Sequence, residues 1–103
     1  MSKYGNKPTN GFASKREAKR ATELEALQAA GVISHLRYQV KYELAPSVVI
    51  GGRKRPPLRY FADFVFVEDG KEVIEDSKGH RTDVYKIKRH LMASVHGIYI
   101  RET

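Results

Sequence analysis

The chain has 103 residues, 41% apolar and 30% charged, which suffices for one modest hydrophobic core and excludes a multidomain machine. It contains no cysteine, which excludes a disulfide framework, a thiolate zinc site and a cysteine nucleophile, and makes a reducing cytoplasm the default compartment. Nineteen Lys and Arg stand against 12 Asp and Glu, a net charge of +7 that favours a polyanionic partner, with nucleic acid the leading candidate.

Residues 1–11 hold Lys, Asn, Gly, Pro and Thr with a single aromatic, a composition that does not offset the entropy of ordering and reads as a basic, mobile tail. One domain is expected over 12–103. Ser14 and Glu17 have the spacing of a capping box, and Ala18, Ala21, Leu24, Ala26 and Leu27 follow among good helix formers. This predicts a first helix from about Ser14 to Ala30, stopped by Gly31, with Lys15, Arg16, Lys19 and Arg20 on a cationic face. From His35 to Leu44 apolar and polar residues alternate, the pattern of a half-buried strand. Ala45 to Leu58 contains Pro46, Gly51-Gly52 and Pro56-Pro57 and reads as a long hairpin loop, made basic by Arg53, Lys54, Arg55 and the adjacent Arg59. Arg59 to Val67 is apolar on both faces and is predicted as a central strand. Asp69-Gly70 is a two-residue turn signal joining it to a third strand over Glu72 to Lys78. Thr82 is a good N-cap for a second helix to about His96, with Val84, Ile87, Leu91 and Val95 at helical spacing and Gly97 as its stop. Ile98-Tyr99-Ile100 completes the pattern as a short last strand. The order α, β, β, β, α, β predicts an α+β fold, a mixed sheet flanked by two helices. No apolar run approaches the ~18 residues of a membrane span, and residues 1–10 lack the apolar core of a signal peptide, so a soluble cytoplasmic protein is expected.

Asp63 stands in a strand otherwise aromatic and aliphatic, where a carboxylate is costly unless paired or metal-bound. On the next strand Asp76 and Lys78 are two apart and share a face with Ile74, while Glu75 and Ser77 point the other way. If the Asp69-Gly70 turn pairs the strands, Asp63 and Asp76 meet at one end of the hairpin, where like charges repel unless a cation lies between them. Carboxylate oxygens suit Mg²⁺ or Mn²⁺, and Lys78 would stand beside the metal to orient a water or stabilise charge on a phosphate. His35, His80, His90 and His96 lack the i, i+4 spacing of a helical metal pair, and Gly51-Gly52 lacks a Walker lysine.

Asp63, then Asp76-Ser77-Lys78 on the following strand, with a glutamate on a preceding helix and the αβββαβ order, resembles the PD-(D/E)XK nuclease superfamily in minimal form. The segments Phe12-Ala13-Ser14-Lys15-Arg16-Glu17, Leu36 to Leu44 with Gln39, Tyr60-Phe61-Ala62-Asp63-Phe64 and Glu75-Asp76-Ser77-Lys78-Gly79 resemble short phage-encoded members of it, and archaeal-type Holliday-junction resolvases are similar in layout. The resemblance implies a restriction-endonuclease-like core in which Asp63, Asp76, Lys78 and Glu17 are catalytic. It also implies that Asp63, Asp76, Glu17 and the Ser77 carbonyl bind the metal. Glu23 and Glu25 lie on the same helix as Glu17 and are alternatives to it. Ala62 stands where the superfamily's proline would be.

Two functions follow. The first is an Mg²⁺-dependent DNA endonuclease, acting on branched or junction DNA in phage DNA recombination in the host cytoplasm. The second is a non-catalytic DNA-binding module that keeps the fold. Lys15, Arg16, Gln39, Arg53, Lys54, Arg55, Arg59, Lys86 and Arg89 are the expected DNA contacts. A junction cut by paired nicks calls for a homodimer, with Tyr60, Phe61 and Phe66, or Leu91, Met92 and Val95, as its apolar patch.

Overall fold

The computed structural model describes residues 12–103, so the tail expected over 1–11 lies outside it. Helix α1 (Lys15–Ala29) starts at Ser14, whose extended backbone turns its hydroxyl to accept from the Glu17 N–H at 3.1 Å. It ends where Gly31 takes a positive φ of 79° that a side chain would disfavour. Strand β1 (Ile33–Ala45) shows the alternation expected of an edge. The basic loop is not irregular: Val48–Ile50 and Arg53–Arg55 form strands β2 and β3 of a separate two-stranded sheet. Gly51 and Gly52, at φ 59° and 78°, supply the left-handed turn that such a ribbon needs.

Strands β4 (Leu58–Glu68) and β5 (Lys71–Asp76) form the predicted hairpin about Asp69-Gly70. Helix α2 (Asp83–His96) is capped by Thr82, and β6 (Arg101–Glu102) pairs parallel with β5. The main sheet runs β1-β4-β5-β6, antiparallel except at its last edge. This is an α+β fold, a mixed sheet flanked by helices, and apart from the β2–β3 hairpin its order is the predicted αβββαβ.

Successive β4 residues serve two cores. Phe64 and Phe66 pack with Ala21 and Leu24 of α1, whereas Val65, Ala62 and Tyr60 pack with Tyr85 and Met92 of α2. That double burial is why β4 reads as apolar throughout. Two elements differ from expectation. The inward residues of α2 are Tyr85 and Met92, with Leu91 half-buried, while Val84, Ile87 and Val95 are exposed. Tyr85 is drawn inward because it buries a large ring and still donates its hydroxyl to Glu102 at 2.8 Å. The last strand is Arg101–Glu102, not Ile98 to Ile100: Ile98 and Ile100 pack on the core as irregular chain, and pairing begins only alongside Glu75 and Asp76.

Candidate functional site

Regular β4–β5 pairing stops at Phe64↔Glu75, and one residue further the two aspartates replace it. The Asp63 N–H donates to Asp76 Oδ1 at 3.3 Å, and the Ser77 N–H donates to Asp63 Oδ2 at 3.0 Å. Each carboxylate thus satisfies backbone beyond its own strand. The regular strand ends at Asp76, yet parallel pairing with the C-terminus carries on toward the expected end at Lys78: Thr103 N–H donates to Asp76 O and Lys78 N–H to Thr103 O, both at 3.0 Å.

Across the sheet, Gln39 stands opposite Asp63, between the pairs Tyr38↔Phe64 and Val40↔Ala62. Its φ is 50°, the left-handed region, which costs a non-glycine residue about 1–2 kcal/mol. That backbone places its amide nitrogen 3.1 Å from Asp63 Oδ1 and 3.4 Å from Glu17 Oε2. Gln39, expected as a DNA contact, is therefore the bridge between the helical and strand carboxylates. Among the three glutamates of α1, Glu17 is the one at the site, buried at 6% exposure. Glu23 pairs with Arg20 at the surface, and Glu25 accepts from the Tyr38 hydroxyl.

Crowding sets the electrostatics. Burial, then the neighbouring Asp63, pushes the Asp76 carboxyl up to about 7, against the pull of Lys78. Burial and Asp63 likewise raise Glu17, opposed by the Ala13 backbone N–H and Lys78. Lys78 Nζ lies 3.2 Å from Asp76 Oδ2 and 4.6 Å from the centre of the Tyr85 ring. Asp76 Oδ2 is buried with Lys78 as its ion-pair partner and the Tyr60 hydroxyl acting on its carboxyl, but without a well-formed hydrogen bond, and the hydroxyls of Tyr60 and Ser77 are likewise buried without one.

Among the described residues, no three His, Cys, Asp or Glu side chains are gathered closely enough to hold a metal ion as they stand. The expected set of Asp63, Asp76, Ser77 and Glu17 is open because the Gln39 amide stands between Glu17 and Asp63. The donor chemistry nevertheless fits a hard divalent cation: oxygen ligands, two carboxylates, Glu17 and Asp76, raised by burial and by the Asp63 charge, and a buried Asp76 oxygen without a hydrogen bond.

Beside these residues opens a cleft of about 390 Å³ lined by Arg16, Lys19, Arg20, Glu23, Ser77 and Thr103. The Arg16 guanidinium reaches over the turn after Lys78, 3.6 Å from where a Cβ on Gly79 would stand. Lys15, Arg53, Lys54, Arg55, Arg59 and Lys86 are exposed, whereas Arg89 is tied to Glu102 at 2.9 Å.

One contact escaped the sequence reading. Glu75, completely buried, takes a two-pronged grip from Arg20: Nε to Oε2 at 2.6 Å and Nη2 to Oε1 at 2.9 Å. The signal available was its placement on the face opposite Asp76, toward α1.

Glu102 gathers Arg81, Tyr85 and Arg89, and the Arg81 guanidinium foremost holds its carboxyl down to about 2. Because its folded pKa lies below the usual glutamate value of 4.5, this carboxylate stabilises the fold above about pH 4.5 and ceases to do so as pH falls toward 2. Glu102→Gln should therefore make the melting temperature less dependent on pH across that window, as followed by circular dichroism. Parallel wild-type and variant curves would show that the cluster contributes nothing.

A family model described as a protein of unknown function, DUF1064, matches residues 1–99, and the chain belongs to that family. No curated protein and no solved structure matches it.

Proposed function

We propose that the protein is a metal-dependent DNA endonuclease that hydrolyses phosphodiester bonds at branched DNA. The observation that carries this reading is the convergence of Asp63, Asp76, Glu17 and Lys78, from two strands, a helix and the turn after β5, around the left-handed Gln39. A structural ion pair needs no such gathering, in which burial and the Asp63 charge raise Glu17 and Asp76, whereas a site for phosphate chemistry does. Asp63 and Asp76, with Glu17 and the Ser77 carbonyl, would hold Mg²⁺ or Mn²⁺, which when bound supplies polarisation of the scissile phosphate.

The chain's own residues supply the rest. Arg16 and Lys19 line the adjacent cleft and bind phosphates on either side of the break. Gln39 orients Glu17 and Asp63. Lys78 stands by Asp76 to hold the attacking water and to offset charge as the phosphorus–oxygen bond breaks and the leaving oxygen takes up a proton. Lys78→Ala should lower turnover about 10²-fold with DNA affinity nearly unchanged. An effect confined to affinity would assign Lys78 to phosphate binding instead.

Purified protein with Mg²⁺ or Mn²⁺, incubated with four-way, flap, single-stranded and linear duplex DNA, tests the reading by gel. Cleavage strongest on the branched substrates is the expected result. Binding without cleavage of any substrate would support the alternative, a DNA-binding module.

Paired nicks across a junction require two sites, and we propose a homodimer for this step. Tyr60, Phe66 and Met92 are spent in the monomer core, which leaves Phe61 on β4 and Val84, Ile87 and Val95 on α2 exposed for it. Sedimentation equilibrium with a four-way junction should show two protomers per junction, and one per junction would remove the paired-nick mechanism while leaving single nicking intact.

A further inference from the structure

The β2–β3 hairpin is the largest feature that the site does not use. Val48, Val49 and Ile50 are 48%, 70% and 59% exposed, and they pair with Arg55, Lys54 and Arg53 respectively. Every rung of the ribbon therefore joins one apolar side chain to one cation. Among the described residues, none of the three cations has a carboxylate within ion-pair distance, although most other arginines of the domain do. Among the described residues neither half of this ribbon contributes much to the fold: the apolar strand stays half or more exposed on average, and the cations pair with no carboxylate.

We infer that the β2–β3 hairpin recognises the branch point as a wedge, Val48 and Ile50 on one face and Val49 on the other packing against bases exposed there while Arg53, Lys54 and Arg55 hold the flanking phosphates. The inference rests on the endonuclease reading and names the feature of its substrate that is recognised. Charge complementarity selects the occupant, because a partner covering both halves must present apolar and anionic surface within one ribbon's width. Nucleic acid whose bases are unstacked does so. An apolar wedge in intact duplex must first unstack a base step, whereas at a branch the bases are already unpaired, so the same contact discriminates in favour of the branch. The cations add affinity for any DNA without selecting its structure. Reach is adequate: at about 3.4 Å per residue, the chain from Arg55 to Asp63 spans up to about 27 Å, within one turn of duplex.

The test measures binding with Ca²⁺ in place of Mg²⁺, using a four-way junction and a linear duplex of the same sequence, each carrying 2-aminopurine at the position of the branch. Wild-type protein should raise the fluorescence of the junction and prefer it. The triple variant Val48→Ser, Val49→Ser, Ile50→Ser should lose that rise and at least tenfold of junction affinity while keeping duplex affinity. Arg53→Ala, Lys54→Ala, Arg55→Ala should lose tenfold or more on both. The exposure of these residues predicts unchanged melting temperatures, and Val49→Ser alone serves as a milder probe should the triple variant unfold. A triple apolar variant with the junction preference and fluorescence rise of wild type overturns the inference. So does a variant that instead loses self-association in sedimentation, which would make the ribbon an interface between copies. Cleavage by wild type in Mg²⁺ is scored separately. Its absence removes the endonuclease reading while a branch preference in Ca²⁺ would still uphold the hairpin, and no DNA binding at all by wild type overturns both.

Discussion

On the endonuclease reading, Asp76→Asn and Asp63→Asn should each reduce cleavage at least ~10³-fold while leaving DNA affinity unchanged or tighter, because each would remove a charge proposed to bind the metal and to face phosphate. The amide is nearly isosteric, so the local backbone contacts survive. In Asp76→Asn the side-chain oxygen still accepts from the Asp63 N–H. In Asp63→Asn the oxygen still accepts from the Ser77 N–H, and the new NH₂ faces Gln39, whose amide can present its oxygen only by giving up its long 3.4 Å hydrogen bond to Glu17. Loss of activity is thus separable from loss of fold. Melting in EDTA should shift by a few degrees at most, while the stabilisation by Mg²⁺ or Mn²⁺ expected of wild type should be absent from both variants. Wild-type cleavage by both variants would end the endonuclease reading. A metal-induced shift that persists in both would place the cation elsewhere.

The elements that the sequence revealed best are those in which periodicity, caps and turn residues agree. The Ser14 and Thr82 caps, the Asp69-Gly70 turn and the doubly buried β4 each combine two independent signals. Where only one signal is present the reading slips. Val84, Ile87, Leu91 and Val95 follow a helical period, yet Tyr85 takes the inward position, and periodicity has no way to weigh a ring whose hydroxyl has Glu102 to meet. The basic loop conceals a hairpin because exposed cations carry no burial pattern. In the candidate site, Asp63, Asp76 and Lys78 were legible because strand parity and one turn place them. Glu17 was legible only as one of three glutamates on its helix, and the buried position of its side chain is what separates it from Glu23 and Glu25. The role of Gln39 was not legible, because it depends on a left-handed φ at a residue type that gives no warning of it.

The largest loss of stability should come from Arg20→Ala. Glu75 is fully buried, and Arg20 supplies both of its close charged contacts; the next cation, Arg101 Nη1, is 3.9 Å from Oε1. Removing the arginine strands a carboxylate in apolar surroundings, which costs about 3–5 kcal/mol and lowers the melting temperature of a domain this size by over ~10 °C. Arg20→Lys should recover only part of this, since an ammonium does not reproduce the two-pronged grip. The double variant Arg20→Met, Glu75→Leu should recover most of it, because the penalty lies in the unpaired charge rather than in the absence of the pair. If the double variant is as unstable as Arg20→Ala, packing around the guanidinium stem is the true contribution. The pair also bears on the site: Glu17 and Arg20 are three residues apart on one face of α1, and Glu75 adjoins Asp76 on β5. The same contact that offsets a buried charge fixes α1 against the end of β5, and so fixes the spacing of Glu17 from Asp76. Assayed at 15 °C, where both are folded, the double variant should therefore show the lower turnover of a loosened site even though its stability approaches that of wild type. Wild-type turnover in that variant would confine Arg20 and Glu75 to stability.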